Sequence, residues 1–329
     1  MKHILLATTA LVATAGIASA DLSIGGWAEI GVADNGSGDM QYFQDIDVTF
    51  RASGETDGGM SFSAGVDLDE NGAFATNTHG GATIGVSGGF GNVTMGDTDG
   101  ASDWALTETA IGGSIADDHT AHKGYSGNSG LDGNEDGQVL RWDYSLGAVG
   151  VGVSLEQAND GASSADDDII QVGLKYSMDM GGSTVNLGVG FADAGNQTVT
   201  TEKAVAPKLD AITGATITNG TAATTVAGDS DHVALSLSMT TAGGLTGVVN
   251  MTDGSSGGRD SSHLALGLGM TMDALTVGVN YGEHEVAGET SSGVGLAVNY
   301  NLGGGAVFQL GYGDGEGKDT MSVGLALSF

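Results

Sequence analysis

From Leu22 the chain places apolar and polar residues on alternate positions, so that Leu22, Ile24, Gly26, Ala28, Ile30 and Val32 share one face. Period two over that length predicts a strand with one dry and one wet side. The next segment sets Ile46, Val48, Phe50 and Ala52 against Asp45, Asp47, Thr49 and Arg51. The alternation returns over 60–68, 82–86, 93–95, 140–144, 151–155, 170–178 and 185–191. It resumes over 233–239, 245–251, 264–272, 275–281, 294–302, 308–312 and 321–329, which makes sixteen predicted strands. An open sheet of that size would curl or split, and closure removes its exposed edges. The expected fold is therefore all-β, a single antiparallel sixteen-stranded barrel.

The connections alternate in length. Short ones fall near 88–92, 146–150, 181–182, 243–244, 273 and 303–305. Longer ones, rich in Asp and Glu, fall over 34–40, 69–80, 97–138, 159–168, 194–230, 253–260, 283–289 and 314–319. Short turns at one end and long loops at the other characterise transmembrane β-barrels of outer membranes. Strand direction places Phe50, Phe62, Tyr144, Tyr176, Tyr300 and Phe329 near the periplasmic end, and Phe191, Tyr281 and Tyr312 near the outer end. Two girdles of amphipathic rings at the headgroup levels are what a bilayer selects.

Composition sharpens this picture. The first twenty residues combine Lys2, a small and apolar run, and Ala18-Ser19-Ala20, the pattern of a cleaved signal peptide; the mature domain is expected over 21–329. Without Lys2, 8 basic residues face 41 acidic ones, a net charge of −33, which repels nucleic acid. The mature sequence has no run of 18 apolar residues, so a membrane role requires strands rather than helices. With no cysteine, disulfides contribute nothing. Sixty glycines suit a long chain of strands in which only one residue in two must meet lipid.

Sixteen strands about 4.8 Å apart and tilted by about 40° enclose a backbone diameter of roughly 30 Å and a lumen on the order of 20 Å. A Debye length of about 3 to 10 Å leaves the centre of such a lumen beyond the reach of wall charges. A segment must enter it if the channel is to select. The longest early connection, about 97–138, is expected to fold inward. It would bring Asp97, Asp99, Asp103, Glu108, Asp117 and Asp118 to the constriction, with Arg51, Arg141 and Lys175 on the facing wall. Acidic ledges favour cations.

With these residues in place, the chain resembles the general diffusion porins of alphaproteobacteria, the Rhodobacter type. The resemblance is carried by GNVTMGDTDGASDWALTE from Gly91, IADD from Ile115, RWDYSLGAVGVGVSLEQ from Arg141, and the last strand ending in Phe329. It implies a homotrimer in the outer membrane of a Gram-negative bacterium, in contact with outer-membrane lipid and lipopolysaccharide, passing small hydrophilic solutes and ions. It also implies that the third outer loop forms an eyelet, acidic on the loop and basic on the wall. Here only Arg51 stands on an early strand where that type carries a basic cluster, which shifts the expectation towards cations.

Other chemistry is sparse. Asp132, Asn134 and Asp136, with Asp143 at the twelfth position, have the oxygen spacing of a calcium loop without its flanking helices, so calcium can be held there although no cofactor is required. Asp67, Asp69 and Asn71 form a weaker version, and His119 and His122 beside Asp117 and Asp118 a weak zinc set. Ser114 near His119 lacks an oriented third group, so no catalytic triad is expected. Two alternatives stand beside the diffusion channel. A substrate-specific channel would line its path with aromatic groups, of which the insert offers Trp104 and Tyr125. A secreted, acidic, calcium-binding β-rich surface protein would show short tandem repeats, and none is present.

Overall fold

The computed structural model of the chain describes residues 21–36, 38–71, 78–125, 139–158, 166–202, 208–209, 216–218, 224–315 and 318–329. The expected leader, and Asp132, Asn134 and Asp136, lie outside them. The strands are β1 (Asp21–Asp34), β2 (Gln41–Glu55), β3 (Ser61–Asn71), β4 (Thr78–Gly88) and β5 (Gly91–Gly96), followed by the one-turn helix α1 (Ala101–Ala105). Next come β6 (Val139–Leu146), β7 (Val149–Glu156), β8 (Ile169–Asp179), β9 (Thr184–Glu202), and a small ribbon of β10 (Lys208–Leu209) with β11 (Thr216–Thr218). The rest are β12 (Thr224–Thr240), β13 (Leu245–Ser256), β14 (Arg259–Met272), β15 (Leu275–Val286), β16 (Glu289–Gly303), β17 (Ala306–Gly315) and β18 (Lys318–Ser328). Among the described residues, all strands except β10 and β11 close into one barrel, sixteen in all, in which each pairs with its neighbours along the chain and β18 returns to β1.

Register follows the pattern of dry and wet positions. Ile30 lies opposite Leu325 and Ala28 opposite Leu327 at the closing seam. On the other edge of β1, Ala28 meets Ile46 and Ile24 meets Phe50. A slip of one residue would turn every apolar side chain inward, so the two-sided requirement fixes the pairing. Burial is the reverse of that in a water-soluble domain: Leu235, Leu237, Leu266, Leu268 and Met251 are exposed, whereas Ser236, Asn250, Gln171, His232 and Gln309 are buried. Apolar residues outside and polar residues inside identify hydrocarbon as the outer solvent. Rings cluster on the outer face towards the short turns, where Trp142 and Tyr144 stack at 6.2 Å and Tyr300 faces Phe308.

Several outer connections are tighter than the sequence suggests. The long loops expected over 253–260 and 283–289 are two-residue turns at Gly257-Gly258 (φ 57° and 71°) and Ala287-Gly288 (φ 55° and 84°), because β13 to β16 continue past the apolar band. Two successive left-handed residues give a hairpin turn whose twist matches its strands. The connection expected over 314–319 shrinks likewise, with β17 running to Gly315 and β18 starting at Lys318. In place of a loop over about 194–230, β9 and β12 stay paired as far as Glu202 and Thr224. Strands of 19 and 17 residues exceed the roughly 9–11 that a tilted strand needs to cross a bilayer, so this ribbon rises above the rim. The asymmetry between the two ends survives at 97–138, since β5 ends at Gly96 and β6 begins at Val139.

Residues 97–125 run along the inner face of the wall. Ala101 N–H donates to Ser154 Oγ at 2.9 Å on β7, and Ser102 N–H to Gln171 Oε1 at 3.0 Å on β8. Thr107 N–H donates to Ser236 Oγ at 2.9 Å on β12, and Asn250 Nδ2 on β13 donates to Thr107 O at 3.2 Å. Asn299 on β16 holds both backbone groups of Gly113, at 2.8 and 2.7 Å. Ile115 reaches Gly31 on β1 and Gly324 on β18. Beneath this path the wall is glycine. A Cβ at Gly173, Gly188, Gly267, Gly278, Gly295 or Gly313 would overlap the carbonyl oxygen of Ala101, Ala105, Thr109, Ile111, His119 or Asp118 respectively.

Replacing Leu266 by Arg puts a charge into hydrocarbon and is expected to cost about 2–4 kcal/mol, whereas Ser63→Arg on the wet face is expected to stay within about 0.5 kcal/mol. Equal losses for the two in urea unfolding from lipid vesicles would contradict the assignment of faces. Gly173→Val is expected to lift α1 from the wall, lowering stability by about 1–3 kcal/mol, with a changed mobility of a spin label at Trp104→Cys as the readout.

Candidate functional site

The loop and the wall it faces define the site. Asp97, Asp99, Glu108 and Asp117 are exposed to the lumen, Asp103 is half-buried, and Asp118 is buried. Asp118 therefore departs from the expected eyelet ledge: its backbone oxygen accepts from Thr320 Oγ1 on β18 at 3.4 Å, and its side chain is packed near Gly311 on β17. Burial pushes its carboxyl above the usual carboxylate range, and the charges of Asp117 and Asp34 add to the effect. Glu108 accepts from Tyr125 Oη at 3.3 Å; burial, then the charge of Glu108, raises the Tyr125 phenol. Asp117 holds a left-handed backbone, φ 52°, a conformation that Asp and Asn tolerate better than most residues.

The expected basic wall opposite the loop is corrected at two of its three members. Arg141 on β6 and Lys175 on β8 stand beside α1, on the side of the barrel that the loop covers. Arg141 Nη1 donates to Asp99 O at 2.6 Å and lies 4.0 Å from Asp99 Oδ2, while its Nε lies 3.4 Å from Asp143 Oδ1. Lys175 Nζ sits 3.5 Å from the centroid of the Trp104 ring and 3.4 Å from Trp104 O. Arg141 approaches the same ring at 5.9 Å. Cations over an indole face gain from its quadrupole, so these two residues fasten the helix. Parity identifies an inward face, but it does not say which part of the circumference the loop will cover.

Arg51 on β2 is exposed, between Ser23 on β1 and Gly65 on β3. Its inward neighbours are acidic: Asp45 and Asp47 on β2, Glu29 opposite Asp45, and Asp67, which accepts from Thr49 Oγ1 at 2.8 Å. Towards the outer mouth, a cavity of about 530 Å³ brings Glu29, Asp34 and Asp45 of the wall together with Asp117 and Asp118 of the loop. Parity sets Glu29 on the face opposite to Ile24 and Ile30, yet the expected lining omits it; its partner Asp45 is the signal that shows it. Asn280, Asn299 and His263 were missed because a polar residue facing the lumen gives no sign that a loop will cover it.

Asp143 on β6 has both oxygens engaged, by Asn92 Nδ2 at 2.8 Å and by Arg141. Among the described residues no group of three His, Asp or Glu is placed to hold a metal, the weak set at His119 and His122 included. Ser114 Oγ lies 2.9 Å from His119 Nδ1, a local contact within the buried turn.

Solved structures share this fold. A curated porin of Rhodobacter capsulatus is 32% identical over 171 residues, 51% of this chain and 55% of that protein, so the aligned stretch spans about half of its length. A porin structure refined at 1.8 Å resolution superposes with a TM-score of 0.68 at 23% identity, over 94% of this chain and all of the other. A triple mutant of the Rhodopseudomonas blastica porin gives 0.65 at 17%, with the same coverage. The profile of Gram-negative porins matches residues 7–320, and by that match the chain belongs to the Gram-negative porin family.

Proposed function

We propose that the protein is a water-filled outer-membrane channel for the passive diffusion of small hydrophilic solutes, with a preference for cations, and that it is not an enzyme. The observation that carries this reading is the crowding of carboxylates on the loop and on the wall strands that it meets. Asp97, Asp99, Glu108 and Asp117 are exposed on the loop, and Glu29, Asp45, Asp47 and Asp67 line β1 to β3, where Asp117 meets Glu29 and Asp45 in one cavity and Arg51 is the accompanying cation. Narrowing a wide lumen with such a loop brings its centre within about a Debye length of fixed charge. Carboxylates on loop and wall together then attract cations and repel anions. The apolar outer band argues against a secreted soluble protein, which would not expose so large a surface to water.

The same reading includes export behind a leader cleaved after Ala20, an assembly of three identical subunits, and contact with outer-membrane lipid and lipopolysaccharide. The leader's three-part pattern supports the first of these, and the family resemblance the others. It also includes calcium on the acidic outer segments, supported by the oxygen spacing of Asp132, Asn134 and Asp136. Asp143 would have to exchange Asn92 or Arg141 for the ion.

In planar bilayers the protein is expected to give ohmic steps with a cation-selective reversal potential. Glu108→Gln with Asp117→Asn should lower the cation-to-anion permeability ratio by about twofold to fivefold, and anion selectivity of the unaltered protein would overturn the charge assignment. Calorimetry of chelator-stripped protein should show calcium uptake that Asp132→Asn with Asp136→Asn abolishes; no uptake by the unaltered protein would remove the calcium site.

A further inference from the structure

The cavity at the outer mouth joins apolar walls to carboxyl groups. Its volume, about 530 Å³, falls within the range of small-molecule sites, which pair apolar surface with a few convergent polar groups. Phe43 of β2, Ala33 of β1, and Ile115 and Ala116 of the loop supply apolar surface. Glu29, Asp34, Asp45, Asp117 and Asp118 supply five carboxyl groups, and among the described residues no Lys or Arg lines the space.

These carboxyl groups are held in place by the fold. Trp27 Nε1 donates to Glu29 Oε1 at 3.1 Å, and Asp34 Oδ1 accepts from the N–H groups of Gly36 and Gly38 at 2.9 and 3.0 Å. Asp117 and Asp118 sit in a tight turn, in which Asp117 N–H donates to Ser114 O at 3.2 Å and Thr120 N–H to Asp117 O at 2.9 Å. Ile115 anchors that turn against β1 and β18. Preorganised groups cost little to order when a ligand binds. One carboxyl oxygen is left wanting: Asp118 is 2% exposed, and its Oδ2 is buried without a hydrogen-bond partner. An unsatisfied buried acceptor is costly, and a donor entering the cavity would relieve it. The kind of donor follows from two observations. No three of the acidic groups are placed to hold a metal ion, and the apolar walls reward a hydrocarbon body that a hydrated metal ion lacks. The lumen already holds an ammonium against an aromatic face, where Lys175 Nζ lies 3.5 Å from the centroid of the Trp104 ring.

We propose that this cavity is a binding site for organic cations, in which an ammonium group is taken by Glu29, Asp45 and Asp117 and its apolar body by Phe43 and Ala116. The inference deepens the channel reading and rests on it, since a solute must enter the lumen to reach the cavity. It names a class of solute, the amine with a hydrocarbon or aromatic body, that pauses on the path instead of merely passing. Charge draws the ligand in, the ring of Phe43 offers a face to its ammonium or its body, and Asp118 stands behind with its unpartnered oxygen.

The test is titration calorimetry of the folded protein in detergent with benzylammonium, paired with bilayer recording of potassium current before and after adding the same cation. The expected result is saturable uptake at roughly millimolar concentration, with a saturable fall in current over the same range. Benzyl alcohol, which has the same ring without the charge, should bind at least about tenfold more weakly. Phe43→Ala and, separately, Asp117→Asn should each weaken uptake by about threefold to tenfold. Asparagine tolerates the left-handed backbone of Asp117, so the second variant keeps the turn. Absence of saturable uptake, equal uptake of benzyl alcohol, or uptake unchanged in either variant overturns the site. A cation-selective potassium current alongside any of these leaves the channel reading standing. Calcium uptake that displaces benzylammonium and is lost in Asp117→Asn makes the cavity a metal site and also overturns the proposal. Saturable uptake without any potassium current overturns the channel reading and supports the cavity as a binding site.

Discussion

In hydrocarbon a backbone amide without a partner costs several kcal/mol, and a strand at a sheet edge would present a row of them. The pairing of β18 with β1, from Trp27 opposite Ser328 to Asp34 opposite Met321, is therefore the contact on which the rest depends. It completes the ladder, and it obliges every strand to carry one face for lipid and one for water. Once the ring is closed, inward side chains need not fill a core. They are free to be Asp, Ser, Asn or His, and a chain with a large negative charge can fold around water.

The enclosed space is then partitioned by a second covalent stretch whose adhesion is almost wholly polar. Loop carbonyls lie on glycines of the wall, while Asn280, Asn299, Ser154 and Ser236 supply hydrogen bonds. Hydrophobic burial contributes at a few places, chiefly Ile115 and Ala101. The two cations near α1 are engaged by Trp104 and by Asp99 and Asp143. Arg141 and Lys175 thus serve as anchors of this part of the loop.

Much of this was legible in the residues. Alternation at Ile24, Ile30, Leu266 or Leu325 reports a lipid face directly, because the pattern is imposed by the solvent itself. Where strands leave the bilayer, that imposition ends. Asp253, Ser255, Glu283 and Glu285 continue paired strands yet look like loop, so the tight turns at Gly258 and Gly288 and the tall β9–β12 ribbon were not foreseen. The carboxylates of the insert announced its role, but the course of the loop did not. Gly173, Gly278 and Gly313 in a lumen-facing register look like economical lining, and only the fold shows that each lies beneath a backbone oxygen.

That course has a consequence for assembly. The loop leaves β5, follows the wall past β7, β8, β12 and β13, and rests Ile115 in the seam between β18 and β1. Its berth is made of the first and last parts of the polypeptide together, so docking cannot finish until the ends of the chain have met. Contacts of such large sequence separation carry the loop-closure entropy of the whole chain. The passage therefore reaches its final calibre no sooner than the cylinder closes.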